Sequence, residues 1–310
     1  MKAAIVGMLN NVSNSQNHHG GGYSRIMVRI LKESIPEVEF TVNPEPNTWN
    51  EYDCLCILEG VNYQENAFNF IGGPQPEHTE KLKAILDYKG TIKFINKSLD
   101  FSLFNKRFGL EEEFPTGKTI DFATKYGEKT KKIVVGDSHS LSVWKPGFGI
   151  HRTDGKTLFG FLKDADSLVE EWNQKYDEVI LYFGNIDLRF HLMRQENPRA
   201  AVGDLFRRYI EFAKKLNNAT LVNLLPVEHE SRKLPGTGLY LKQSFFGTRQ
   251  ERMNLRDAAN RIINNSGLNK IQWPDEWIDE DGTKMFEYME PKQSVHLKPK
   301  YYMFANQFVK

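Results

Sequence analysis

The segment KIVVGDSHS, residues 132–140, decides the fold of this chain. Its apolar run ends abruptly in small and polar residues, which is the pattern of a buried strand that leads into a tight turn. Because Gly136 permits a close turn, we expect Ser138 at the carboxyl end of a parallel strand, where open α/β sheets place their ligand sites. A serine hydroxyl at that position is placed to attack an electrophile.

Strand and helix patterns alternate from this segment towards the C-terminus. We predict strands at 177–184 and 219–227, and helices at 167–176, 204–217 and 252–267. Strands that alternate with helices indicate a parallel sheet with helical crossovers. The sequence therefore predicts an α/β domain over residues 131–310.

The first third of the chain repeats this alternation. Strands are predicted at 2–7, 38–42, 52–60 and 91–96, and helices at 24–34 and 77–90. Residues 111–130 have no sustained period and are interpreted as a connection. The fold class is therefore α/β, with two tandem doubly wound, Rossmann- or flavodoxin-like domains at 1–110 and 131–310. A cleft between them is the expected ligand site.

Composition limits the function classes. The 310 residues are 40% hydrophobic and 26% charged, a globular composition, and the net charge of +1 excludes a protein whose whole surface binds polyanions. No run approaches the ~20 apolar residues of a membrane span, and no cleavage pattern precedes the first strand, so we expect a cytoplasmic protein without membrane contact. Cys54 and Cys56 alternate in a strand, and we expect them to be buried thiols on opposite faces. No HxxxH or CxxC spacing predicts a metal site.

Two more segments carry chemistry. GNIDLRFH, residues 184–191, ends a strand at Gly184 and follows it with polar side chains, and SVHLKP, residues 294–299, supplies His296 as a general base from a distant part of the chain. In this order, the three segments resemble the SGNH (GDSL-type) hydrolases, whose blocks are GDS, GxND and DxxH. Over residues 131–310, the resemblance implies Ser138 as nucleophile, His296 as its base and backbone amides near Ser138 as oxyanion donors.

Two positions depart from the family pattern. Ile186 stands where the family carries its oxyanion asparagine, with Asn185 one position away, and Gln293 stands where the family carries the aspartate that orients the histidine. Glu290 is an acid three residues too early. These departures leave open an alternative in which the turn caps a helix or binds a phosphate. Its binding residues would be Gly136, Asp137, Ser138, His139 and Ser140.

Residues 184–191 contain several polar and charged side chains that are candidates for ligand binding. GNIDLRFH is similar to a GEIDCRxH variant among SGNH-like proteins of glycan pathways. An arginine at a strand exit, here Arg189, suits a phosphate or carboxylate ligand, and a surface ion pair with Asp187 is the alternative. The candidate residues of this segment are Gly184, Asn185, Asp187, Arg189 and His191.

The N-terminal segments point to another family. MKAAIVGMLNNVSN (1–14), NEYDCLCILEGVNY (50–63) and FNFIGG (68–73) resemble the acceptor domain of phage DNA β-glucosyltransferases. This resemblance implies a GT-B cleft, a UDP-type nucleotide sugar as donor, duplex DNA with a hydroxymethylated base as acceptor, and no tightly bound cofactor, with Mg²⁺ left open. It implies a general base after strand 91–96, where Asp100 is the nearest aspartate and Lys97 stands closer to the expected position.

Further residues suit such ligands. The loop before the first helix suits backbone approach to a phosphate or base, or is a mobile loop without a direct role; it contains His18, His19, Gly20 and Gly21. Seven Lys or Arg residues lie between Arg232 and Arg261, with aromatic residues among them, which indicates either DNA contact or an ordinary solvated helix face. Two interpretations remain for Trp144, Trp273 and Trp277: each stacks on a sugar or base, or each packs in the core.

Taken with the incomplete hydrolase pattern, the N-terminal resemblance favours a glycosyltransferase that acts on phage DNA in the cytoplasm of an infected bacterium. The alternative is an SGNH-type esterase or O-acyltransferase that acts on a glycan or modified nucleotide through Ser138 and His296. A third interpretation is a carbohydrate- or nucleotide-binding protein that has lost the chemistry.

Overall fold

The computed structural model describes residues 1–8, 11–58, 76–95, 119–227, 246–278, 285–290 and 295–307. The chain divides into two compact units, Met1–Tyr126 (unit 1) and Gly127–Lys310 (unit 2). Each unit is built on its own sheet, and each is described separately below.

Unit 1 contains a five-stranded parallel sheet. Its strands are β1 (Lys2–Val6), β2 (Glu39–Val42), β3 (Cys54–Ile57), β4 (Thr91–Ile95) and β5 (Thr119–Ile120), in the order β2-β1-β3-β4-β5. The helices are α1 (His19–Ser34), α2 (Pro76–Asp87) and α3 (Phe122–Thr130), which crosses the boundary between the units. β1 and β3 are almost continuously apolar because strands of a parallel sheet are buried on both faces.

Cys54 and Cys56 lie on the same face of β3, so the prediction of opposite faces is wrong. Side chains alternate along a strand, and residues two apart therefore share a face. Both thiols are free and buried, as predicted, and both line an apolar cavity of about 220 Å³ in unit 1. A hydrogen bond between them lowers the pKa of Cys54 and raises that of Cys56.

Unit 2 contains a second five-stranded parallel sheet. Its strands are β6 (Lys132–Gly136), β7 (Gly149–Arg152), β8 (Glu178–Tyr182), β9 (Ala219–Val222) and β10 (Asn269–Ile271), in the order β10-β9-β8-β6-β7. Counted from the first strand of each unit, both sheets have the order 2-1-3-4-5. The connection after β6 runs to β7 on one side, and the connection after β8 runs to β9 on the other. The point between the carboxyl ends of β6 and β8 is therefore where ligands bind in open α/β folds.

Helices α4 (Leu158–Phe161), α5 (Val169–Lys175), α6 (Pro198–Lys214), α7 (Arg249–Asn264) and α8 (Met285–Tyr288) complete unit 2. α6 begins where the Asn197 side chain accepts from the Ala200 amide, and α7 begins with a capping box between Thr248 and Glu251. Their apolar faces pack in the core. In the described part of the chain, no helix has the length and apolarity needed to cross a membrane.

Some elements differ from the sequence prediction. The segment 111–130, interpreted as a connection, contains β5 and all of α3, and neither β7 nor β10 was predicted. α1 begins at His19, so Gly20 and Gly21 belong to its first turn and not to a loop. Glycine has low helix propensity, but the burial of Tyr23 and Ile26 on the same helix outweighs it.

Candidate active site

A rigid turn presents Ser138 at the end of β6. A 3₁₀ helix, Ser138–Val143, starts there, and the Asp137 carboxylate caps it by accepting from the His139 amide at 2.8 Å. The Ser140 hydroxyl donates to the Asp137 carbonyl at 2.7 Å. Asp137, His139 and Ser140 are all buried, whereas Ser138 is half-buried. The turn therefore holds its backbone in the interior and leaves the Ser138 hydroxyl accessible.

Two glycines are required where β6 and β8 end. A Cβ added to Gly136 would lie 2.3 Å from the carbonyl oxygen of Tyr182, on the neighbouring strand. Gly184, just after β8, has φ of +109°, in a region that side chains rarely tolerate. The two strand ends therefore approach each other closely, and this approach places the Ser138 turn beside the Gly184–Asp187 segment.

His296 reaches the serine from the far end of unit 2. Its Nε2 lies 2.8 Å from Oγ of Ser138, although the two residues are 158 positions apart. The structure thus brings together the two residues that the sequence proposed as nucleophile and base. His296 is half-buried, like the serine.

Short antiparallel pairing holds the histidine segment. Met289 forms a bridge with Leu297, the Glu290 amide donates to the His296 carbonyl at 2.9 Å, and the Lys298 amide donates to the Tyr288 carbonyl at 2.8 Å. His296 is therefore fixed by its own backbone.

Behind Ser138 lies a buried chain of charged groups. Nδ1 of His139 is 2.7 Å from Oδ1 of Asp137, and Nε2 of His139 is 2.9 Å from Nη2 of Arg189. Nε2 of His139 also lies 3.2 Å from the carbonyl oxygen of Val295, so this nitrogen faces both a donor and an acceptor. His139 is therefore held between the Asp137 carboxylate and the Arg189 guanidinium.

Arg189 links this chain to the histidine segment. Its Nη2 also lies 3.4 Å from the carbonyl oxygen of Val295, the residue before His296. Only 5% of Arg189 is exposed. An arginine predicted as an anion ligand or surface partner of Asp187 is thus an interior residue that bonds His139 and the backbone beside His296.

Asp187 has a separate position. Its two oxygens accept from the amides of Leu158, at 2.7 Å, and Phe159, at 3.1 Å, at the start of α4. Burial raises the pKa of Asp187 to about 6, while these amide hydrogen bonds oppose the shift. Its neighbour Asn185 is also buried, and its Nδ2 has no hydrogen-bond partner within the described residues.

A cavity of about 380 Å³ adjoins Asp187 in unit 2. Its walls include Phe159, Asp187, His191, Leu192, Asp204 and Arg208. Burial, with a smaller effect of Arg194, lowers the pKa of His191. The cavity is therefore lined both by apolar side chains, such as Phe159 and Leu192, and by polar ones, such as Asp204 and Arg208.

Other predicted residues lie elsewhere or outside the described ranges. His18 precedes α1, and His19, Gly20 and Gly21 form its first turn, all in unit 1. Asp100, Lys97 and Gln293 lie outside the described residues. The tryptophans for which stacking was considered, Trp144, Trp273 and Trp277, are buried.

The structure describes four basic residues of the segment between Arg232 and Arg261; three of them are interior residues, and Arg261 is exposed. Arg249, Arg252 and Arg256 are buried, and each donates to a backbone carbonyl: those of Val227, Gly247 and Leu224. Counting charges along the sequence could not show this, because buried arginines are held by carbonyl groups that leave no signal in the sequence. The Val295 carbonyl that accepts from Arg189 likewise leaves no signal in the sequence.

No protein family and no curated protein matches the sequence. Among solved structures, the chain is similar to a GDSL-like lipase from Bacteroides thetaiotaomicron, with 14% identity and a TM-score of 0.41 over 58% of this chain and 89% of the lipase. It is also similar to a putative acylhydrolase from Bacteroides fragilis, with 13% identity and a TM-score of 0.38 over 59% and 92% of the two chains. A psychrotrophic esterase from Pseudoalteromonas matches with 13% identity and a TM-score of 0.34 over 57% and 93%.

These comparisons contradict the predicted glycosyltransferase, because the matching structures are named as a lipase, an acylhydrolase and esterases. They show neither the likeness to phage glucosyltransferases nor a GT-B arrangement. The prediction of a DNA-modifying transferase is therefore withdrawn.

Proposed function

We propose that this chain is a serine esterase that hydrolyses acyl esters, with Ser138 as nucleophile and His296 as general base. The observation that carries the proposal is the 2.8 Å contact between Oγ of Ser138 and Nε2 of His296 at the end of a parallel strand. A nucleophile and base in hydrogen-bond contact at an accessible strand end form the arrangement that serine acyl transfer requires.

The reaction proceeds in two halves. Oγ of Ser138 attacks the ester carbonyl carbon while Nε2 of His296 takes the hydroxyl proton. The tetrahedral intermediate collapses, the bond to the alcohol breaks, and the alcohol leaves with the proton from His296. Water, deprotonated by His296, then attacks the acyl-serine, and the acid is released as Ser138 regains its proton.

The turn also supplies a donor for the oxyanion. The amides of His139 and Ser140 both donate to Asp137 and are occupied. We infer that the amide of Ser138 itself, at the first position of the 3₁₀ helix, donates to the developing negative charge. The intermediate is thus stabilised by the residue that forms it.

Labelling with a fluorophosphonate and hydrolysis of p-nitrophenyl acetate test this proposal. We expect the wild type to be labelled at Ser138, as located by mass spectrometry of peptides, and we expect Ser138→Ala and His296→Ala to lose labelling and at least about 10³-fold in kcat/KM. Ser167→Ala and His151→Ala are matched controls at exposed positions of unit 2 and should retain both. An unlabelled wild type, or equal turnover by Ser138→Ala, would refute the proposal.

A further inference from the structure

We propose that Glu290 is the acid that positions His296, in the role for which the sequence offers only Gln293. This inference rests on the proposed esterase function and identifies its third residue. A triad histidine needs a carboxylate that orients the ring and stabilises the imidazolium formed when the serine loses its proton.

The antiparallel pairing places the two side chains opposite each other. The Met289–Leu297 bridge sets the register, so that Glu290 pairs with His296, and the hydrogen bond from the Glu290 amide to the His296 carbonyl confirms this pair. Directly opposite residues of antiparallel strands have their side chains on the same face and about 5 Å apart at Cβ. Glu290 is therefore a cross-strand neighbour of His296, although six positions separate them.

The side chains follow the backbone. A carboxylate oxygen of Glu290 lies within 4.8 Å of a ring nitrogen of His296. Nε2 faces Ser138, so Nδ1 is the nitrogen that remains for the acid. The separation is short enough for a hydrogen bond to form when the imidazole becomes charged, since catalytic hydrogen bonds often tighten only in the complex with substrate.

Glu290 is held in the interior and not on the surface. Only 3% of the residue is exposed. Burial, and after it the charge of Glu290, raises the pKa of Tyr302, a fully buried tyrosine. In such an interior a carboxylate and an imidazolium interact through a medium that screens charge poorly.

The spacing explains why this acid escapes a linear motif. A DxxH pattern searches three residues before the histidine, where Gln293 stands. Pairing across an antiparallel register instead brings together residues whose separation depends on the length of the connecting segment. An acid supplied in this way has no fixed offset.

Substitution at Glu290 tests the inference, with kcat and KM for p-nitrophenyl acetate, the rate of fluorophosphonate labelling and the Tm as measurements. Glu290→Gln keeps the shape and removes the charge, and we expect a loss of about 10²-fold to 10⁴-fold in kcat and labelling rate, with KM within about twofold. Glu290→Asp retains a carboxylate and should recover part of the loss. Glu287→Gln, an exposed acid on α8, is the matched control and should behave as the wild type.

The outcomes separate cleanly. A labelled wild type with an unchanged Glu290→Gln rate overturns the role of Glu290 and leaves the esterase intact, whereas an unlabelled wild type overturns the esterase itself. Loss of kcat with a Tm within about 4 °C of the wild type, and partial recovery in Glu290→Asp, supports positioning. A Glu290→Gln variant that loses activity only together with a larger fall in Tm, or a Glu290→Asp variant no better than Glu290→Gln, overturns it.

Discussion

Replacing Arg189 by methionine removes the cation that joins the buried chain behind Ser138 to the histidine segment. Nη2 of Arg189 lies 2.9 Å from Nε2 of His139 and 3.4 Å from the Val295 carbonyl, and the residue is 5% exposed. A hydrogen bond to or from a charged group contributes about 1.5–3 kcal/mol, and a long contact contributes at the lower end of about 0.5–1.5 kcal/mol. Methionine replaces most of the volume but no donor, so we expect the free energy of unfolding to fall by about 2–4 kcal/mol.

Urea unfolding, monitored by tryptophan fluorescence, measures this loss. Four of the five tryptophans belong to unit 2, so the signal reports mainly on the unit that contains Arg189. Arg189→Lys keeps a charge but not the planar fork, and its loss should fall between those of the wild type and the methionine variant. Because Val295 precedes His296, the fluorophosphonate labelling rate should fall in the same order.

Arg207→Met provides the matched control. Arg207 pairs with Asp204 on the exposed side of α6, and a surface pair of this kind contributes at most about 1 kcal/mol. A loss below about 1 kcal/mol for Arg189→Met, or one no larger than that of Arg207→Met, would refute the reasoning that Arg189 is a buried structural cation.

Three further predictions concern unit 2. Gly136→Ala would place a Cβ 2.3 Å from the Tyr182 carbonyl, so we expect a loss of about 3 kcal/mol, at the upper end of the usual cost of overpacking, seen as a lower Tm; an unchanged Tm would contradict the close approach of the strands. Burial raises the pKa of Asp187 from 3.8 to about 6, so the folded state holds this proton more tightly than the unfolded state does; this stabilisation is complete below pH 4 and is lost as the pH rises through 6. Between pH 7 and 5, urea unfolding of the wild type should therefore gain about 1 kcal/mol relative to Asp187→Asn, and a constant difference would exclude the raised pKa. Thr248→Ala removes the N-cap of α7, which pairs with Glu251, and should lower the free energy of unfolding by about 1 kcal/mol in the same urea assay. Thr248→Ser keeps the hydroxyl and should be close to the wild type; an unchanged stability of Thr248→Ala would contradict the role of the cap.

Strong local patterns predicted the interior of the fold. β6 and β8 are almost entirely apolar because they are covered on both faces, and their strand assignments agree with the structure to within one or two residues. β5 has two residues and β10 has three, mostly exposed ones, so neither has a run that distinguishes a strand from a loop. Edge strands of this kind depend on the neighbouring strand more than on their own composition.

In the candidate site, too, some features could be predicted from the sequence and others could not. The pairing of Ser138 with His296 was predicted from the order of the segments, through their resemblance to SGNH hydrolases, whereas the position of Ser138 alone followed from its place at the end of a parallel strand. The burial of Arg189 could not be predicted, because its acceptors are the His139 ring and a carbonyl 106 positions away. Glu290 was visible as an acid, but only the antiparallel register shows which side chain it faces.

The 158 positions between Ser138 and His296 also have a kinetic consequence. Closing such a long loop is entropically costly, and contacts of high sequence separation tend to form late in folding. A chain in which β6, β8 and β9 are already paired but the 296–298 segment is undocked contains the nucleophile without its base. During refolding, helical circular dichroism should therefore recover before esterase activity, and partly folded chains should carry an unreactive Ser138.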